Sequence, residues 1–263
     1  MAFLKLLSLF GVAFAAYFAF AAKEPRCERR YDVGLAAYAP LSFREDGRIK
    51  GVAHDITREL ARRTGCTFSE TEYSRITALK QIELGRIDLY LVVAIGDEFL
   101  KVGDFHHLYT SGRTLTVTQE VGNKHKTVDG YLKDKAIKFG RVIGSRPAMS
   151  VAEEDKLVKA QRTVTTTDPE NLFRMLKDKR IQAVLYPTLS AGYFRKKMNL
   201  ADETVQIVDE GAELDVGYIS SKRRMSRSDV AMINNQIAEM KKDGTFLKIL
   251  LKYVDKENAP KSL

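Results

Sequence analysis

The 263-residue chain has only two cysteines and four histidines. Two cysteines without partnered histidines are too few for a structural metal site. The sequence also lacks a CxxC pair, a phosphate-binding glycine loop and a nucleophile elbow, the short motifs typical of redox, phosphoryl-transfer and serine-hydrolase chemistry. We therefore predict no metal and no cofactor.

Long apolar runs are absent except at the N-terminus. The stretch MAFLKLLSLFGVAFAAYFAFAA (residues 1–22) has one early lysine, a long apolar core and small residues before its end, a pattern typical of a secretory signal peptide. An uncleaved membrane anchor is the alternative, because the run approaches the length of a membrane span. We expect a soluble mature protein that is exported to the periplasm.

Acidic residues are outnumbered, and the formal net charge is +9. Removal of residues 1–22 takes away Lys5, so 43 minus 1 basic residues face 34 acidic ones and the mature chain carries +8. The basic residues are scattered over several predicted helices and loops, without an aromatic-interleaved stripe or a nucleic-acid motif. We predict no nucleic-acid partner.

The two cysteines, Cys27 and Cys66, each precede an apolar strand candidate, YDVGLAA (31–37) and TFSETEY (67–73). A parallel strand-helix-strand unit brings the starts of its strands to one edge of the sheet, which suits a disulfide. Such a bridge would contribute about 4 kcal/mol as an upper figure. Free thiols are the alternative, although export to an oxidising compartment favours the bridge.

Strand and helix patterns alternate along the chain. HDITRELARRTG (54–65) predicts a helix that ends at Gly65, and DPENLFRMLKDK (168–179) predicts a helix with Asp168 as its N-cap. IDLYLVVAI (87–95) is typical of a buried strand. Alternation of this kind predicts an α/β protein with parallel sheets covered by helices.

The stretch YDVGLAAYAPLSFREDGRIKGVAHDITRELARRTG (31–65) resembles the opening of the family 3 periplasmic solute-binding proteins. The resemblance extends to DVGYISSKRRMSRSDVAMINNQIAEMKKDGTFLKILLKYV (215–254) and covers nearly the whole mature chain. It implies the two-lobed periplasmic-binding-protein fold, in which each lobe is a mainly parallel sheet flanked by helices and two strands form the hinge. Lobe 1 would comprise residues 26–118 plus 215–263, and lobe 2 residues 119–214. A small ligand would bind between the lobes, at the carboxyl ends of the strands.

Three positions at which amino-acid-binding members of that family hold their ligand carry different residues here. The resemblance aligns Phe99 with the arginine that clamps the α-carboxylate, and Ala94 with a small hydroxyl residue that helps to hold it. Pro187 aligns with the aspartate that pairs with the α-ammonium group. None of these three side chains carries a charge or a hydrogen-bonding group. We therefore expect that an ordinary free α-amino acid is not the ligand.

Other polar and aromatic residues are predicted to line the cleft. They are Tyr38, Tyr73, Arg75, Arg113, Gly144, Ser145, Arg146 and Tyr186. Arg75 opens a helix and Arg146 lies between a strand and a helix, two places that favour an anion. We expect these two arginines to substitute for the missing anchor, which predicts a small anionic or aromatic ligand. Core or hinge packing is the alternative for each tyrosine, and a solvated surface or a salt bridge is the alternative for each arginine.

Catalysis is the competing class of function, because the resembled fold also hosts periplasmic dehydratases. Asp97, Glu98 and His54 are the nearest acid-base candidates. His106 and His107 alternate faces on an extended segment, which disfavours a shared metal. We predict a monomeric, non-enzymatic protein that binds a small molecule and works with an inner-membrane permease or a sensor. A periplasmic lyase, or a partner-binding sensor that feeds no transporter, is the alternative.

Overall fold

A computed structural model describes residues 27, 29–143, 149–260 and 262–263. The predicted signal peptide (residues 1–22) and the predicted ligand residues Gly144, Ser145 and Arg146 lie outside these ranges. Every helix in the described part of the chain is too short or too polar to cross a membrane.

Strands and helices alternate as the hydrophobic pattern predicts. The strands of the described residues are β1 (Arg30–Ala36), β2 (Phe43–Glu45), β3 (Arg48–Lys50), β4 (Thr67–Tyr73), β5 (Leu89–Ala94), β6 (Gly103–Thr118), β7 (Phe139–Val142), β8 (Thr163–Thr166), β9 (Ala183–Pro187) and β10 (Thr204–Ser221). The helices are α1 (Val52–Thr64), α2 (Arg75–Glu83), α3 (Asp97–Leu100), α4 (Val128–Lys133), α5 (Val151–Lys159), α6 (Pro169–Lys177), α7 (Thr188–Lys197), α8 (Arg227–Lys242) and α9 (Thr245–Leu251).

Two predicted helix ends are confirmed. Gly65 follows α1 in the left-handed conformation, with φ 71°, which a residue without Cβ adopts freely. The Asp168 side chain accepts a hydrogen bond from the backbone N–H of Glu170, and Pro169 is the first residue of α6. Local sequence alone therefore defines where these two helices stop and start.

Eight strands form a sheet in the order β4-β1-β5-β10-β6-β9-β7-β8. β1 is parallel to β4 and β5, and β7 is parallel to β8 and β9. β10 is antiparallel to β5 and β6, and β6 is antiparallel to β9. Each end of the sheet is thus a parallel unit, and two long antiparallel strands join the units. This arrangement confirms the predicted α/β class.

The two long strands belong to both ends of the sheet. Residues 103–112 of β6 pair with residues 213–221 of β10. On its other side, this part of β10 pairs with β5. Residues 113–118 pair with residues 204–209 of β10 on one side, and residues 113–117 pair with β9 on the other. The predicted lobe 1 therefore includes residues 113–118, which pair with strands of the predicted lobe 2. The crossing between the lobes lies near residues 112 and 209–213.

Separate hydrophobic cores support the two lobes. The lobe 1 core joins β1 and β5 to α1, α8 and α9, through residues such as Leu35, Ile56 and Ile233. In lobe 2 a hydrophobic cluster packs on each face of the sheet. Val184 of β9 belongs to the cluster on one face, and the next residue, Leu185, belongs to the cluster on the opposite face. Each lobe therefore has apolar packing of its own.

Cys27 and Cys66 form a disulfide with their Cα atoms 4.6 Å apart, as the sequence predicts. They precede β1 and β4, which begin side by side with Arg30 opposite Thr67. The bridge therefore closes the edge of lobe 1 at which these two parallel strands start.

After α9 the chain leaves lobe 1 and packs on α7. Asp255 pairs with Lys196 of α7, with their side-chain oxygen and nitrogen 2.8 Å apart. Asn258 is 5% exposed and packs against Gly192 in the middle of α7. We call residues 255–260 the C-terminal strap. Because α7 also contributes Phe194 to the lobe 2 core, the strap is a further connection between the lobes.

Candidate functional site

The carboxyl ends of β1, β4 and β5 meet at one edge of lobe 1, where the ligand cleft is predicted. Tyr73 is the last residue of β4 and lies opposite Ala36, and Ala94 is the last residue of β5. Tyr38 is half-buried in the turn that follows β1, next to a cis peptide bond between Ala39 and Pro40. The fold thus brings Tyr38, Tyr73 and Ala94 to a common edge.

The facing edge of lobe 2 carries the end of β9. Tyr186 is buried and packs edge-on against Phe173, with ring centroids 6.0 Å apart. Arg113 of β6 lies opposite Pro187, and its Nε donates to Asp209 Oδ2 at 2.5 Å. Tyr186 therefore contributes to the lobe 2 core, and Arg113 forms an ion pair at the strand crossing. Both arrangements are among the alternatives that the sequence left open.

Tyr38 lies within electrostatic reach of tyrosines from both lobes. Burial raises the pKa of Tyr38 to about 12, and the positive charge of Arg75 opposes this rise. Burial also raises the pKa values of Tyr90, Tyr109 and Tyr186, and the charge of an ionised Tyr38 adds to each rise. We call Tyr38, Tyr90, Tyr109 and Tyr186 the tyrosine cluster. At neutral pH its hydroxyl groups are uncharged and can donate or accept hydrogen bonds.

Phe99, at the position aligned with the anchor arginine, is fully buried in the lobe 1 core. Its ring stacks on Tyr90 with centroids 5.7 Å apart. The guanidinium carbon of Arg75 lies 4.7 Å from the centroid of the Phe99 ring, within the range of a cation-π contact. A cation from α2 therefore lies against the buried ring of Phe99.

Arg75 is held by lobe 1 itself. Its Nε and Nη2 donate to Glu98 Oε1 at 2.9 and 2.5 Å, and its Nη1 donates to the carbonyl oxygen of Ala94 at 2.8 Å. The Arg75 side chain is 27% exposed and the Glu98 side chain 43%. The cation that the sequence predicts as a substitute anchor therefore already contacts a carboxylate of the same chain.

Gly96 allows this ion pair to lie directly on the backbone. A Cβ atom at position 96 would lie 2.5 Å from Arg75 Nη2 and closer still to Glu98 Oε2. Any larger residue would push the two side chains aside, so Gly96, Arg75 and Glu98 form one structural unit.

The acid-base candidates do not lie together. His54 Nδ1 of α1 lies 2.6 Å from Glu70 Oε2 of β4, whereas Glu98 of α3 pairs with Arg75. Asp97 is the first residue of α3. A lyase needs an acid or base next to the substrate, and of these candidates Glu98 contacts residues at the predicted cleft.

His106 and His107 lie on opposite faces of β6, as strand alternation predicts. His106 Nε2 is 2.8 Å from Ser220 Oγ, and its ring stacks on Tyr218 at a centroid distance of 4.5 Å. His107 is exposed, and its Nε2 is 3.5 Å from Asp215 Oδ1. Burial lowers the pKa of His106. Among the described residues, no group of three or more His, Cys, Asp or Glu side chains could hold a metal ion.

A cavity of about 240 Å³ lies at the strand crossing, between β6, β10 and the C-terminal strap. Its walls include Ser111, Thr188 and Asn258. At the same place Ser262 forms an isolated antiparallel bridge with Thr110. Of the predicted ligand-binding residues in the described part of the chain, none lines this cavity. It is therefore separate from the edge at which Tyr38 and Ala94 lie.

Sequence reasoning missed two members of the tyrosine cluster and the partner of Arg75. Tyr90 and Tyr109 look like ordinary buried strand residues, and their proximity to Tyr38 depends on the fold. Glu98 was assigned an acid-base role. The available signal was Gly96, a glycine between a strand end and two acidic residues.

Comparison with known proteins identifies relatives along most of the chain. A sequence profile of the bacterial extracellular solute-binding proteins, family 3, matches residues 32–256. The chain is 29% identical over 217 residues to the L-cystine-binding protein of Escherichia coli (strain K12), covering 81% of this chain and 78% of the relative. It is 23% identical over 261 residues to a probable histidine-binding protein of Campylobacter jejuni, covering 95% of this chain and 98% of the relative. An ancestral cationic amino acid solute-binding protein of known structure superposes with a TM-score of 0.72 at 22% identity, covering 86% and 96% of the two chains.

Proposed function

The chain belongs to the bacterial extracellular solute-binding proteins of family 3, and we propose that it closes its two lobes around a small solute that is not an ordinary α-amino acid. The observation that carries this proposal is the sheet register, in which β6 and β10 run through both parallel units. Two lobes joined in this way can rotate about the strand crossing, and a ligand that prefers the closed form drives closure.

The side chains at the predicted cleft support a neutral aromatic or otherwise planar solute. Of the two classes left by the sequence, an anion would need a cation, and Arg75 already pairs with Glu98. Arg146, the other predicted cation, lies outside the described residues and stays a prediction. Tyr38, the half-buried member of the tyrosine cluster, supplies a ring and an uncharged hydroxyl group that can stack on and hydrogen-bond to a planar molecule, whereas Tyr90, Tyr109 and Tyr186 are buried behind it.

An amino acid bound in a different pose is the second candidate, and the names of the two relatives favour it. They are named for L-cystine and histidine. With Phe99, Ala94 and Pro187 at the three aligned positions, neither the α-carboxylate nor the α-ammonium group would find its usual partner. Transfer of an uncompensated carboxylate into a cleft costs several kcal/mol, so we expect simple amino acids to bind weakly.

A lyase and a partner-binding sensor remain the alternatives from other classes of function. Glu98 would be the acid or base of the lyase, because it lies at the predicted cleft. Its pairing with Arg75 at 2.5 Å favours a structural role. A sensor would use the same closure but would present the closed form to a receptor.

The protein would act outside the cytoplasm, since its family is extracellular. We propose export to the periplasm through residues 1–22, delivery of the solute to an inner-membrane permease or a sensor, and function as a monomer. Pulse labelling would reveal a larger precursor that is converted to the mature chain on export, and a single uncleaved membrane-bound form would contradict this assignment.

The chain without residues 1–22 provides the test of ligand binding. Its melting temperature would be measured with L-cystine, L-histidine, other amino acids, dicarboxylates, nucleotides, peptides, and aromatic acids and amides. A ligand at about 100 times its Kd stabilises the folded state by about 2.7 kcal/mol. We expect a saturable rise with an aromatic or planar neutral compound, accompanied by a smaller radius of gyration in X-ray scattering.

Other outcomes would change the proposal in defined ways. Tight calorimetric binding of a simple amino acid would show that the ligand class is wrong. Consumption of the bound compound would identify the lyase. Unchanged melting temperatures across the whole panel would contradict solute binding.

A further inference from the structure

Glu98 offers Arg75 the group that a ligand carboxylate would offer. Glu98 Oε1 accepts hydrogen bonds from both Nε and Nη2 of the guanidinium. Such charge-assisted bonds are among the stronger hydrogen bonds in proteins. The carbonyl oxygen of Ala94 accepts a further bond from Nη1. An incoming anion therefore meets a guanidinium that is already oriented and neutralised by lobe 1.

The ion pair lies at the positions that the resemblance assigns to carboxylate binding. Ala94 and Phe99 are the two residues aligned with the carboxylate-holding side chains. The Arg75 guanidinium bonds to the first of them and covers the ring of the second at 4.7 Å. The pair is therefore placed where it can affect which solutes bind.

The Arg75–Glu98 ion pair also packs directly against the backbone of Gly96. Gly96 lies beneath it, and a Cβ atom there would displace both side chains. Glu98 follows Gly96 by two residues, at the start of α3. The space that Gly96 leaves is therefore filled by the Glu98 carboxylate and the Arg75 guanidinium.

Two carboxylates that share one guanidinium repel each other, so each weakens the binding of the other. We propose that Glu98 is a specificity-determining residue, because its carboxylate takes the place of a ligand carboxylate at Arg75 and the cleft therefore selects a neutral planar solute over the corresponding anion. This inference rests on the proposed function and names the chemistry that the cleft selects.

Benzamide and benzoate are suitable probes, because they have similar shape and differ in charge. Their Kd values would be measured by calorimetry at neutral pH and low salt for the wild type, Glu98→Gln and Asp97→Asn. Glu98→Gln keeps the side-chain shape and removes the competing charge. Asp97→Asn is the matched control, since it removes the neighbouring acidic charge and leaves the Arg75 ion pair in place.

We expect the wild type to bind benzamide more tightly than benzoate. Glu98→Gln should shift the ratio of the two Kd values toward benzoate by about 10-fold or more, the effect of one charged hydrogen bond. Asp97→Asn should keep the wild-type ratio within about 3-fold, below the effect of one such bond. Adding Arg75→Gln to Glu98→Gln should remove the gain in benzoate binding, because the anion would lose its cation.

An unchanged ratio in Glu98→Gln, no binding of benzoate by that variant, or an equal shift in Asp97→Asn would overturn the inference. X-ray scattering separates this result from a failure of the proposed function. Closure of the wild type on a panel solute together with an unchanged ratio would mean that the inference is wrong and the function stands. The predicted shift without closure on either probe would support the role of Glu98 and contradict binding by lobe closure.

Discussion

Replacement of Gly192 by alanine tests how tightly the C-terminal strap packs on α7. A Cβ atom at position 192 would lie 2.5 Å from Asn258 Cγ and closer still to Asn258 Cβ. Non-bonded carbon atoms prefer separations of about 3.5 to 4 Å, so the strap or the helix has to move. Overpacking of this kind costs about 1 to 3 kcal/mol.

The same substitution also has a favourable effect. Alanine in a helix interior is more stable than glycine by about 1 kcal/mol, because glycine loses more backbone entropy on folding. We therefore expect Gly192→Ala to destabilise the wild type by about 0 to 2 kcal/mol. In an Asn258→Gly background, which lacks the contacting atoms, the substitution should stabilise by about 1 kcal/mol. The coupling between the two positions should be about 1 to 3 kcal/mol.

Urea unfolding of the wild type, both single variants and the double variant measures this coupling. X-ray scattering of the same four proteins would reveal whether displacement of the strap changes the separation of the lobes. The reasoning would be refuted if Gly192→Ala changed the free energy of unfolding by the same amount, within about 0.5 kcal/mol, in the wild type and in Asn258→Gly. That result would mean that Asn258 does not limit the space next to Gly192.

Two further predictions concern the disulfide and pH. Reduction of the Cys27–Cys66 bridge should lower the melting temperature, because the unfolded chain gains entropy that stabilises it by up to about 4 kcal/mol. The fold should persist, since each lobe keeps its own core. Thiol titration of the denatured, exported protein should find no free sulfhydryl, and two free sulfhydryl groups per chain would contradict the bridge. Burial lowers the pKa of His106 from 6.5, so the unfolded chain binds a proton at a higher pH than the folded chain, and stability should fall as pH drops through and below about 6.5. Urea unfolding at about pH 7.5 and about pH 5.5 should reveal a smaller decrease in the free energy of unfolding for His106→Asn than for the wild type. Equal decreases in the two proteins would exclude His106 as the cause.

Local sequence patterns were sufficient for the parts of the fold that depend on neighbouring residues. Hydrophobic periodicity predicted the alternating strands and helices because it repeats within each element. Gly65 and Asp168 marked helix ends because capping involves the backbone of the same turn. Cys27 and Cys66 could be paired because parallel strands that flank one helix begin at the same edge of a sheet. The assignment of positions 94, 99 and 187 to ligand binding depended on the resemblance and stays a prediction.

The sequence by itself thus determined the fold class and the disulfide, while the departure from the family's ligand-holding residues stays a prediction. The tertiary structure decided which side chains surround Phe99. Arg75 covers Phe99 and pairs with Glu98 because the end of β5 brings α2 and α3 together, and periodicity carries no information on that contact. Tyr38 and Tyr186 come from different lobes, and Asn258 meets Gly192 from 66 residues away in sequence. Such contacts depend on how complete elements pack, so no local pattern could have predicted them.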